Sequence, residues 1–293
     1  MPSPTTVAAP VAGQGVADGR SACSPASRVS ATAWAPELIA DRLHAAVQSG
    51  ALLKDEQGLH QLPPAGTGAS PWLSVTVPQG PSVHCRFLMD FLFEQAYAKS
   101  AVPWGCRACY KVAVAPHTLA QLMALRRLQE RGTGVTAKCG IEVDREITQN
   151  LYSGFYYCDG LEQARAVYRR VRDAVDADPA LGPDVPMRIK RGCTEYEIHC
   201  GPSDRWAFDP AQAEVEASLK TQFKPPPPST QPALKAKLST LGRWLQTAFR
   251  IGDDSYLQFT GGRRLYPAPV SYDPVPPQEM ADSSQLAPGP AHR

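Results

Sequence analysis

The segment WGCRACYKVAVAP, residues 104–116, sets Cys106 and Cys109 three positions apart, just ahead of a strand-like run. Thiolates at this spacing reach one metal ion or cluster without strain, and the same pair can also work as a redox dithiol. A second, wider pair, Cys193 and Cys200, lies in GCTEYEIHCGP. Eight cysteines in this chain are more than packing needs, which makes metal ligation the leading expectation. The expected ligands are Cys106, Cys109, Cys193 and Cys200. If 193–200 were one extended strand, its ends would lie roughly 23 Å apart at about 3.3 Å per residue. His84 or Cys85 is then the substitute ligand. Zinc and iron–sulfur clusters both accept four thiolates. The cluster is preferred over zinc, because Cys85, Cys106, Cys109, Cys139, Cys158 and Cys193 flank an apolar body and Trp104 and Tyr110 would shield it.

Other groups could carry chemistry. Cys193, Glu195, Glu197 and His199 fall within seven residues. On a strand the last three would share a face and could serve as acid/base groups of an enzyme. Neither GxGxxG nor GxxxxGK[ST] occurs, so no nucleotide-binding loop is expected.

The elements that must position these residues follow from periodicity. Leu38, Ile39, Leu43 and Val47 mark an amphipathic helix over 35–50, and 72–80 alternates as a short strand. Residues 85–100 are apolar on most sides and predict a buried helix. Strands are expected at 109–116, 134–146, with a bulge at Gly140, 151–159 and 185–192. Helices are expected at 117–132, capped by Thr118, and at 160–175. The order strand, helix, strand, strand, helix, strand predicts an α+β chain with a ferredoxin-like β-α-β-β-α-β core over 80–207. In that topology the last strand lies antiparallel beside the first, which brings Cys193 to Cys106 and Cys109. A Pro-rich linker is expected over 208–232, then a helix and a hairpin turning at Gly261-Gly262 within 233–271. Disordered segments are expected at 1–33, which contains Cys23, and at 272–293.

Ferredoxin-like sheets include the RNA-recognition module, whose third strand carries stacking aromatics. SGFYYCDG, residues 153–160, resembles that motif at Gly154, Phe155 and Tyr157. It departs from it at Ser153, Tyr156 and Gly160. Tyr152, Phe155 and Tyr157 are the expected stacking residues of this second reading. Residues 101–200 carry 14 Lys and Arg against 12 Asp and Glu, and the whole chain has a net charge of +2. No global pull toward nucleic acid follows, and nucleic acid ranks behind a metal or cluster and an unidentified protein partner. There is no apolar run of 18 residues, and the N-terminus lacks the pattern of a signal peptide. A cytoplasmic location without membrane contact is therefore expected, and it keeps thiols reduced.

Overall fold

The computed structural model describes residues 34–64, 70–77, 85–143, 147, 150–225, 234–268, 270 and 272. The expected disordered segment 1–33 lies outside them, as does 272–293 apart from Tyr272, and as does His84. The chain is α+β. Helix α1 (Pro36–Gln48) leads into a two-stranded sheet of β1 (Leu53–Lys54) and β2 (His60–Gln61). The main sheet contains β3 (Trp72–Val75), β4 (Cys109–Val114), β5 (Ala137–Ile141), β6 (Tyr152–Asp159) and β7 (Met187–Arg191). Its order is β3-β5-β6-β4-β7, and every neighbouring pair is antiparallel.

Alternation decides which side chains enter the core. Val112 and Val114, Ala137, Cys139 and Ile141, and Tyr152, Tyr156 and Cys158 all point to one face. Helices α2 (Leu119–Glu130) and α3 (Leu161–Ala177) cover that face. They present Leu122, Leu125 and Leu128, and Val167, Val171 and Val175, at helical spacing. Thr118 Oγ1 accepts from the Gln121 amide at 3.2 Å, the expected cap. Helix α6 (Leu234–Ile251) adds Trp244 and Ala248 to the same core. β5 pairs through Gly140 in regular register on both sides, without the expected bulge. Glycine is needed there because a Cβ would meet the Pro71 carbonyl at 2.4 Å.

A second core joins α1, a π-helix (Arg86–Ala96) and α5 (Pro210–Thr221) through Leu43, Leu52, Phe87, Phe91, Tyr97 and Phe223. Three expectations fail here. The linker expected over 208–232 contains α5: Pro210 starts it, where a missing N–H costs nothing, and Asp209 caps it by accepting from Ala211 N at 2.9 Å. The segment 193–200, expected to extend the strand before it or to fold back on it, forms helix α4 (Thr194–Cys200). β7 stops because Gly192 turns left-handed, at φ 59°, against the ring of Trp206. The hairpin expected over 255–267 is instead a 3₁₀ turn (Asp254–Phe259) followed by loose turns.

That turn is held by Asp253. Its Oδ2 accepts from the Leu119 amide at 2.7 Å and the Tyr152 hydroxyl at 2.6 Å, and Oδ1 accepts from Ser255 N at 3.0 Å. Burial works to raise this carboxyl, but the hydrogen bonds outweigh it and hold it below the ordinary 3.8. A depressed acid stabilises the fold above its unfolded value, and that contribution is lost as pH falls through the folded value. Asp253→Ala is therefore expected to remove about 1–3 kcal/mol at neutral pH and to flatten the acid limb of the stability curve. Acid unfolding that matches the parent's would refute this.

Candidate functional site

The face of the sheet away from α2, α3 and α6 carries a different set of side chains. β3 contributes Trp72, β5 Lys138, and β6 Ser153, Phe155 and Tyr157. β4 contributes Cys109, Lys111 and Ala113, and β7 contributes Arg188 and Lys190. The register sets Lys138 opposite Phe155 and Lys111 opposite Tyr157. Lys138 Nζ lies 4.4 Å from the Trp72 ring centre, 5.8 Å from Phe155 and 6.0 Å from Tyr157. The Trp72 and Phe155 rings are 5.8 Å apart and tilted by 48°. The result is an aromatic platform with an ammonium among its rings, inside a groove of about 670 Å³. Tyr152, the third expected stacking residue, belongs to the opposite face: it is buried in the helix-covered core and donates to Asp253. The parity of β6 required this, since residues 152 and 155 differ by an odd number.

Next to the platform, where β4 begins and β7 ends, lies a cavity of about 450 Å³. Cys85, Cys106, Cys109, Cys158 and Cys193 line it, with Phe87, Leu88 and Tyr157. The expected meeting of strand ends is present: Gly192 N donates to the Cys109 carbonyl at 2.8 Å. Cys106 is buried in the 3₁₀ turn Trp104–Cys106, with Sγ 3.3 Å from the Tyr196 hydroxyl. Desolvation pushes the Cys106 thiol well above its ordinary range. The same cause pushes Cys109 up to about 11 and raises Cys85. Cys193 stands at the N-cap position of α4, and its Sγ accepts a hydrogen bond from Lys111 Nζ at 3.0 Å. Cys200 ends α4, about 10 Å further on at the rise of an α-helix. Its Sγ faces the Lys99 carbonyl at 3.6 Å, and it does not line the cavity. Of the four expected ligands, three reach one cavity, where Cys85, the expected substitute, and Cys158 also stand. Among the described residues no group of three or more His, Cys, Asp or Glu side chains is gathered closely enough to hold a metal ion.

The acid/base group expected on a strand is dispersed by α4, because residues two apart on a helix point to nearly opposite sides. Glu197 pairs with Lys190 at 2.8 Å. Desolvation raises the Glu197 carboxyl, but the Lys190 contact dominates and lowers it. His199 meets the Phe93 ring edge-on at 6.0 Å.

The residue that positions the CxxC was not visible in the sequence. Glu216 of α5 is 7% exposed. It accepts from Trp104 N at 2.6 Å, Gly105 N at 3.1 Å and the Tyr97 hydroxyl at 3.1 Å. Burial raises its carboxyl, against the pull of these donors. Trp72, Lys111 and Lys138 were missed as well. Strand parity could have found the two lysines, since Lys111 alternates with Val112 and Lys138 with Ala137 and Cys139.

No protein-family model, curated protein or solved structure matches this chain.

Proposed function

We propose that the chain binds single-stranded nucleic acid on the aromatic face of a ferredoxin-like sheet. One observation carries this reading: Trp72, Phe155 and Tyr157 share a groove with Lys138 among their rings. Unstacked bases gain about 1–3 kcal/mol each on such rings, and the cations draw in the phosphates. The scaffold assignment rests on strand order. Within β4 to β7, the first strand lies between the third and the fourth, and the second lies outside the third. Phe155 and Tyr157 sit on the third strand, the one that carries the stackers in the RNA-recognition module. The departure at Tyr156 is tolerable, because Tyr156 fills the core on the other face. Lys190 is committed to Glu197, which leaves the exposed Arg188 as the favoured phosphate contact on β7. A cytoplasmic setting suits the seven cysteines that are free among the described residues.

The test is fluorescence anisotropy with a labelled single strand, its duplex as the competitor, and rising salt. Binding that prefers the single strand and weakens steeply with salt is expected. Phe155→Ala should weaken it by about 1–3 kcal/mol, and Arg188→Ala should reduce the salt slope by about one. No binding at low salt, or full binding by Phe155→Ala, would sink the proposal.

A further inference from the structure

The cysteines around the cavity are not equivalent, and Lys111 is the reason. Lys111 is 8% exposed and stands directly opposite Lys190 in the β4–β7 ladder. Glu197 meets the charge of Lys190. Among the described residues no carboxylate pairs with Lys111. Its hydrogen bond goes to Cys193 Sγ at 3.0 Å, and the Tyr157 ring lies 5.5 Å away. The other titratable groups facing it are the thiols of Cys85 and Cys109. A buried ammonium needs a counter-charge, and a cation beside a thiol favours the nucleophilic thiolate. Burial works to lower the Lys111 ammonium, but its contacts with Cys193, Tyr157 and Cys109 outweigh this and hold it above the ordinary 10.5. Cys193 also lines both the cavity and the groove, so small molecules can reach it from either side.

We propose that Cys193 is the nucleophile of this cavity, a covalent modification site for soft electrophiles of the α,β-unsaturated carbonyl class. Its sulfur adds to the β-carbon, the π pair moves toward the carbonyl, and the Lys111 ammonium delivers its proton to the α-carbon. A C–S bond forms, no group leaves, and no oxidant is consumed. The adduct leaves a neutral thioether beside a neutral amine, so the buried pair loses both charges together. This site does not depend on nucleic-acid binding.

The probe is N-ethylmaleimide at limiting concentration and neutral pH, with the full chain and peptide mapping by mass spectrometry. Cys193 is expected to react faster in the folded protein than in denaturant, the reverse of ordinary burial, and ahead of exposed Cys85. Lys111→Met, which removes a buried charge while keeping the shape of the stem, is expected to slow Cys193 by about tenfold or more with Cys85 unchanged. Slower labelling of Cys193 in the folded chain than in denaturant would overturn the proposal. So would an unchanged Cys193 rate in folded Lys111→Met.

Discussion

Glu216→Ala is expected to destabilise the chain by about 3–5 kcal/mol, because it strands three donors at once in a buried site. The Tyr97 hydroxyl and the amides of Trp104 and Gly105 all end on this one carboxylate. The turn they hold cannot easily rebuild itself elsewhere. A side chain at Gly105 would press on Leu88 at 2.6 Å, so the backbone is already wedged against the π-helix. Losing the carboxylate therefore loosens Trp104–Cys106 and with it the wall of the cysteine cavity. Urea unfolding measures the stability loss, and hydrogen exchange at Trp104 and Gly105 reports where it falls. A loss under about 1 kcal/mol, with both amides still protected, would mean that the turn does not depend on α5.

Trp244→Ala is expected to cost about 3–5 kcal/mol by opening a cavity between α6 and the sheet. The indole is fully buried, and its N–H donates to the Pro71 carbonyl at 2.8 Å. The substitution therefore removes packing and also leaves a carbonyl without its donor. Thr240, one turn earlier, donates to the Ser70 carbonyl at 2.9 Å. Both contacts fall just ahead of β3, so the damage should concentrate at that strand. Thermal unfolding of Trp244→Ala with a midpoint close to the parent's would contradict this account.

The four strands and two helices of the central unit were legible because their signals are local. β6 is dense in Tyr and Phe, which favour strands, and α3 spaces Val167, Val171 and Val175 for one face. What failed depended on neighbours distant in sequence. Pro210 looks like a linker residue, and the helix it begins is anchored far up the chain, where Glu216 meets Tyr97, Trp104 and Gly105 and Gln212 meets Val102. The segment 193–200 alternates enough to look like a strand, but the left-handed Gly192 against Trp206 ends the ladder and leaves room for α4. The candidate site was half legible for the same reason. Strand pairing brings Cys109 to Cys193 as expected, whereas Cys200 stands at the far end of α4, because 194–200 runs on as a helix and does not turn back to the strand edge. Phe155 and Tyr157 were found from a motif, but Lys138 and Trp72 join them only through register across β3, β5 and β6.

β7 is an edge of the sheet, and its sequence is MRIKR. An open edge is a template onto which a second strand can add. A copy of β7 laid against this one would bring Arg188, Lys190 and Arg191 up to the same cations on its twin, and like charges across a ladder repel. At the other edge, Trp244 and Thr240 of α6 bind the carbonyls just ahead of β3, where an incoming strand would have to begin. Both edges of the main sheet thus carry a feature that works against pairing with a second copy of the chain.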